Sequence, residues 1–258
     1  MIVTTGGRTD DETVLLAKET AAILNAKYVS RRKRSVLDLM QSENDDCIVR
    51  GRARIELYPF GESKPFFFHP NSAMFRIKRL IKGECDPLTE AARLEPGMSF
   101  LDCTLGLGSD SIVAAFAAGP TGQVIGVESN PYLAYIVRDG LIHWKSGLAE
   151  MDSAMNAIRV FQSNSLTLLK GMGDNSIDCV YFDPMFEETI LESDGIRGLA
   201  RFADYSGLSS RVLEEAYRVA KKRVLLKDHF RSERFSEFAF KVFKRKSAKF
   251  HFGVIEKD

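Results

Sequence analysis

Met98-Ser-Phe-Leu-Asp-Cys-Thr-Leu-Gly-Leu-Gly-Ser-Asp-Ser-Ile-Val-Ala-Ala-Phe116 decides the fold of this chain. It opens as an apolar strand and closes as a helix, with Asp102-Cys103-Thr104-Leu105-Gly106-Leu107-Gly108 between. Glycines at Gly106 and Gly108 permit positive φ and let a ligand approach the backbone closely. Amides at the start of the following helix can face that ligand. Taken alone, the same pattern also suits a tight strand-to-helix turn.

Outward from this segment, strands are expected at 98–103, 123–128, 158–162, 177–182, 223–227 and 250–255. Helical patterns fall at 109–118, 131–145, 165–170 and 207–220, with a charged, aromatic helical stretch at 231–246. Apolar strands alternating with helices imply a mainly parallel sheet covered on both faces. The fold class is α/β, Rossmann-like, with a small N-terminal α+β subdomain over 1–96 and the main domain over 97–258. Ligands of such sheets bind beyond the carboxyl ends of the strands.

The second strand, Gln123 to Val127, ends at Glu128. A carboxylate placed there can accept both ribose hydroxyls of a nucleotide; otherwise it is a solvated strand end. Asn164 and Ser165 follow the third strand. They either reach the edge of an adenine ring or cap the next helix, and both roles are compatible. The loop and Glu128 do not by themselves separate a nicotinamide cofactor from another nucleoside.

The fourth strand ends in Asp183-Pro184-Met185-Phe186. An aromatic amine is a poor nucleophile because its lone pair is delocalised into the ring. A carboxylate and a carbonyl accepting its two hydrogens would localise and aim that pair. Proline fixes the turn, and Phe186 could stack on an extruded base. The plain alternative is an Asp-Pro turn ending a strand. The motif resembles the (Asp/Asn)-Pro-Pro-(Phe/Tyr) sequence of methyltransferases acting on exocyclic amino groups, with Met185 replacing the second proline. That likeness, and a loop of the form DxTxGxG, favour S-adenosylmethionine over a nicotinamide.

LDCTLGLGSDS, GVESNP, NSLTLL, YFDPMF and KRVLLK together resemble the RsmJ-type guanine-N2 methyltransferases of small-subunit ribosomal RNA, over about residues 66–256. The resemblance implies S-adenosylmethionine as cofactor and 16S ribosomal RNA, or the small subunit, as partner. It implies an antiparallel last strand. It implies that Ser109, Asp110, Glu128, Ser129, Asn164, Ser165 and Asp183 contact the cofactor or its pocket, beside Asp102, Thr104, Gly106 and Gly108 of the loop. Asp183, Pro184 and Phe186 form the implied catalytic set. Two departures lie on the substrate side: a longer, more basic stretch over 1–60, and Glu187 where proline is favoured.

With 258 residues, 45% apolar and 28% charged, the chain has an ordinary globular balance. Its net charge of +1 excludes a global basic field, so any RNA must meet local clusters. Those clusters are Arg31 to Arg34, the Arg50/Arg52/Arg54 face of the 48–60 stretch, the Arg76 to Lys82 helix and Lys241 to Lys249; each also reads as a solvated face. Phe66 to Phe68 read as a buried strand, with stacking on bases as the alternative, and Trp144 as a packing residue. The four cysteines form no CxxC pair and the four histidines no ligand pattern, so no metal is expected. Without an apolar run of about 20 residues or a basic-then-apolar leader, the expectation is a cytoplasmic protein. Lys227-Asp228-His229 is expected only to edge the pocket.

Overall fold

The computed structural model describes residues 1–184, 208–245 and 248–257. It forms two compact units. Among the described residues, the first unit comprises Met1–His69 and Pro131–Trp144. The second comprises Pro70–Asn130, 145–184 and 208–257.

The first unit is a mixed five-stranded sheet with helices. In chain order it carries β1 (Ile2–Thr5), α1 (Asp11–Ile23), β2 (Lys27–Tyr28), α2 (Val36–Glu43), β3 (Cys47–Arg50), β4 (Ile55–Tyr58) and β5 (Phe66–Phe67). The sheet order is β2-β1-β3-β4-β5, parallel up to β3 and antiparallel beyond it. Asp10 caps α1 by accepting from Thr13 N at 2.9 Å. Ser35 and Asp38 form a reciprocal capping box on α2, satisfying amides that the helix itself leaves open. The 48–60 stretch carries the antiparallel hairpin of β3 and β4. Its turn separates Arg50, Arg52 and Arg54, so they share no basic face. Phe66 and Phe68 are buried, and Phe68 meets Trp144 edge-on at 6.1 Å.

The second unit begins with α3 (Asn71–Ile81) and α4 (Pro87–Ala92). Both pack on α5 (Ser109–Ala118), and α4 also on the last strand. In the N-terminal part the two units divide at His69–Pro70. These helices find their apolar partners on the larger sheet. Conversely α6 (Pro131–His143) groups with the first unit. Its Gly140 lies so near Phe68 that a Cβ would stand 2.3 Å from the ring.

Strands β6 (Ser99–Asp102), β7 (Gln123–Glu128), β8 (Ile158–Gln162), β9 (Ile177–Phe182), β10 (Ala220–His229), β11 (Lys241–Phe243) and β12 (Phe250–Glu256) build a seven-stranded sheet. Its order is β11-β12-β10-β9-β6-β7-β8. The five strands from β10 to β8 are parallel, and β12 is antiparallel to β10. Helices α7 (Ala149–Asn156), α8 (Ser165–Gly171) and α9 (Ser210–Val219) complete the alternation. The expected helix at 231–246 is instead a one-turn α10 (Arg234–Glu237) followed by β11. Phe235 and Phe240, five residues apart, cannot share a helical face; both are buried against a cluster that includes Leu226 and Val242.

Chain order runs from β6 outward to β8, then returns to β9 on the other side of β6. That reversal makes the carboxyl ends of β6 and β9 the switch point where ligands of open sheets bind. Asp102 ends one strand, and Asp183 follows the other.

Candidate active site

Beyond Asp102 the chain leaves the sheet but stays tied to both neighbours. Cys103 N donates to Tyr181 O at 2.9 Å and Leu105 N to Val127 O at 3.0 Å. The Asp102 carboxylate accepts from Thr104 N at 3.0 Å through Oδ1 and from the Ser111 hydroxyl at 2.7 Å through Oδ2. It clasps the loop to the first turn of α5. Burial pushes its carboxyl up to about 7, against the pull of these bonds. Gly106 and Gly108 stand at φ +48° and +72°, where a side chain would be strained. A Cβ on Gly126 would lie 2.4 Å from Leu105 Cδ1, so this glycine makes room for the buried loop leucine.

The ends of β7 and β8 supply the next group. Glu128 is buried, with Oε1 accepting from Asn130 N at 2.9 Å. Gln162 Nε2 donates to Ser129 O at 3.0 Å, and Glu128 and Gln162 are paired across the strands. The Asn164 side chain accepts from Leu166 N at 3.0 Å, so it does cap α8, and Ser165 is that helix's first residue.

The third group is centred on Asp183. Its amide donates to Thr104 Oγ1 at 2.6 Å. Its Oδ2 accepts from Lys227 Nζ at 2.6 Å, and the same ammonium reaches Asp110 Oδ2 at 3.1 Å. Asp110 also accepts from Tyr181 Oη at 2.8 Å and from Arg76 Nη1. Arg76 in turn forks onto Asp86 at 2.7 and 2.8 Å. The result is a chain of alternating sign, Asp86–Arg76–Asp110–Lys227–Asp183, in which each charge leaving water has a partner, as burial demands.

Burial pushes the Asp183 carboxyl up to about 6, although Lys227 pulls it down. Burial also opposes the charge on Asp110, but Lys227 and Arg76 hold it well below the usual carboxylate range. Lys227, equally desolvated, is held above its ordinary value by Asp110 and Asp183. Burial, with Asp110 beside it, keeps the Tyr181 phenol well above its own. Asp183 is thus a half-buried, ionisable acceptor. Its Oδ1 has no partner among the described residues.

The structure brings Asp102, Thr104, Gly106, Gly108, Ser109, Asp110, Glu128, Ser129, Asn164, Ser165, Asp183 and Pro184 to the carboxyl edge of one sheet. Phe186, with Met185 and Glu187, lies outside the described residues. Arg76, Tyr181 and Lys227 occupy the Asp110 oxygens, so Asp110 also supports Lys227. Lys227 itself, expected only at the rim, is instead bonded to Asp183. Its signal is a lysine closing the otherwise apolar run Val224-Leu-Leu226. Of the basic clusters, Arg31 donates to Thr5 O at 2.9 Å, Arg50 pairs with Asp139 at 3.0 Å, and Arg52 and Arg54 pair with Asp10 and Glu56. Among the described residues, no three or more His, Cys, Asp or Glu gather as metal ligands, and no helix is long and apolar enough to cross a membrane.

The left-handed glycine loop, the helix start behind it and the carboxylate ending β7 suit an adenosyl group, and the carboxylates suit a sulfonium charge. Comparison with known proteins agrees. Residues 31–252 match the family described as "Putative SAM-dependent methyltransferase". The chain is 47% identical over 255 residues to "Uncharacterized protein YpiP" of Bacillus subtilis (strain 168), covering 99% of each. It is 26% identical over 227 residues to ribosomal RNA small subunit methyltransferase J of Coxiella burnetii (strain RSA 493 / Nine Mile phase I), covering 84% of this chain and 87% of that one. With the same enzyme of Pseudomonas syringae it shares 30% over 145 residues, 54% and 52% of the two chains. The crystal structure of the SAM-dependent methyltransferase NGO1261 from Neisseria gonorrhoeae superposes with a TM-score of 0.63 at 18% identity, covering 99% and 96%; that likeness concerns the fold. The chain therefore belongs to the S-adenosylmethionine-dependent methyltransferases and is related to the ribosomal RNA small subunit methyltransferases J.

Proposed function

We propose that this enzyme methylates the exocyclic N2 amino group of a guanine in RNA, in the 16S ribosomal RNA of the small subunit. The observation that carries the reading is Asp183: an acceptor at the switch point, backed by Lys227 through one oxygen and tied by its amide to the glycine loop. The relationship to methyltransferase J supports the choice of RNA and of base.

S-adenosylmethionine, when bound, supplies the methyl group on its sulfonium. Gly106, Gly108 and Ser109 would hold it from the loop side, Glu128 and Ser129 at the ribose, and Asn164 and Ser165 near the base. Asp102 shapes the loop through Thr104 and Ser111. On the acceptor side, Asp183 Oδ1 takes one hydrogen of the incoming amine. A main-chain carbonyl at the Asp183–Pro184 turn takes the other, so the lone pair is localised and aimed. Lys227 keeps Asp183 ionised at neutral pH. The resemblance gives Phe186 the role of stacking on the extruded base. Most of the rate gain is thus positioning and fixed electrostatics.

Tritium transfer from labelled S-adenosylmethionine to hypomethylated 30S subunits, followed by nucleoside analysis, tests the reading. The expected product is N2-methylguanosine. Label in an adenine-N6 product would replace the guanine assignment, and no transfer to any RNA despite intact cofactor binding would sink the RNA assignment.

A further inference from the structure

Just beyond the catalytic edge the second unit carries a separate cavity. β10 ends at His229, and Phe230 follows, three residues past Lys227. Phe230, Ser232, Phe235, Phe240, Lys244 and His251 line a cavity of about 490 Å³, within the ~300–1,000 Å³ common for small-ligand sites. Its floor is apolar, from the buried Phe235 and Phe240. Its rim is aromatic and cationic. Phe230 is 45% exposed, and its ring lies 6.1 Å from that of His251. The Arg231 guanidinium sits over Phe230, 5.0 Å from the ring centre.

The charge around it is lopsided. Residues 230–250 hold seven Lys or Arg (231, 234, 241, 244, 245, 246, 249) and two Glu (233, 237), a net +5 in a chain of net +1. Arg231, Lys244 and Arg245 form no ion pair with any described residue. That contrasts with Arg50, Arg52, Arg54, Arg76 and Arg79, all bound to carboxylates. Lysines that guard an edge strand against pairing would account for Lys241 and Lys244. They would not account for an exposed phenylalanine over a cavity.

Taking the substrate to be RNA, as proposed above, we propose that this cavity seats an unpaired base of the strand adjoining the target nucleotide. The base stacks on His251 and on Phe230 in the place the Arg231 guanidinium now holds, and Arg231, with Lys244 and Arg245, moves to the flanking phosphates. Aromatic faces with cations at their edges are what single-stranded nucleic acid requires, and phosphate contacts set the register without reading sequence.

The test uses the full chain and a short fluorescein-labelled single-stranded RNA, with anisotropy read at several salt concentrations. Phe230→Ala should raise Kd about tenfold with the salt slope kept, and Phe230→Tyr should restore affinity. Lys244→Ala/Arg245→Ala should lower the slope of log K against log salt by about 1.4, roughly 0.7 for each phosphate no longer neutralised. Calorimetry should find cofactor affinity unchanged in all three, and in the 30S transfer assay KM should rise while kcat holds. An unchanged Kd for Phe230→Ala and an unchanged slope for the double variant, in an enzyme that still methylates RNA, would overturn the cavity's role and leave the enzymatic reading intact. Weakened RNA binding by the variants, in a protein that transfers no methyl to RNA, would keep the cavity and overturn the enzymatic reading. A wild-type chain that binds no RNA overturns both.

Discussion

The surface ion pairs of the first unit and the buried charge chain at the edge of the larger sheet handle charge in opposite ways. In the first unit, Lys27–Glu43, Arg52–Asp10 and Arg54–Glu56 sit at the surface, with at least one partner well exposed. In the second, Asp110 of α5, Lys227 of β10 and Arg76 of α3 lie mostly out of water. Exposed pairs are worth about 0–1 kcal/mol and are screened by salt. Buried pairs carry a desolvation cost that good geometry only roughly offsets, while deleting one partner strands the other. A protein seeking stability alone would have little use for the second arrangement. Its position at the switch point suits the proposed role, an acceptor held by a fixed cation before substrate arrives.

Four substitutions break or sharpen this contrast. Asp183→Ala should have the largest effect, a fall in kcat of about 10²–10⁴-fold with the fold intact by circular dichroism; a near-wild-type rate would remove Asp183 from the chemistry. Lys227→Met comes next. Burial pushes the Asp183 carboxyl up to about 6 despite the ammonium, and the proposed mechanism uses the carboxylate, so wild-type rate should fall as pH drops through about 6. Removing the cation disfavours the carboxylate further, so that acid limb should move to higher pH, with Lys227→Arg restoring part of the shift. An acid limb that stays in place would reduce Lys227 to a packing role. Glu128→Ala should weaken S-adenosylmethionine by about tenfold, as expected for a lost hydrogen bond to a charged group, with kcat at saturation little changed. An unaltered dissociation constant would refute the ribose contact. The smallest effect is expected of Arg52→Ala in the first unit: under about 1 kcal/mol in urea unfolding and no change in cofactor affinity.

Much of the larger sheet was legible because its strands are apolar and end where the pattern breaks, at Asp102, Glu128 and Asp183. The glycines and the Asp-Pro turn are local signals, and local signals survive in a linear sequence. What the sequence hid was pairing over distance. Lys227 lies 44 positions from Asp183 and 117 from Asp110, and Arg76 looked like part of a basic helix face until Asp86 and Asp110 enclosed it. The Arg50, Arg52 and Arg54 alternation failed for the same reason: a hairpin turn and distant carboxylates divided residues that periodicity had grouped. The segment at 231–246 misled differently, since charged and aromatic residues without a clear period suit a short edge strand as readily as a helix.

Thr104 joins the two halves of the site. One hydroxyl receives the amide of Asp183 at 2.6 Å while the amide of the same residue is held by Asp102 at 3.0 Å. The glycine loop after β6 and the turn after β9 are therefore joined through one residue. A change at Thr104 therefore reaches the main chain of Asp183 directly, while the Asp183 carboxylate is held separately by Lys227.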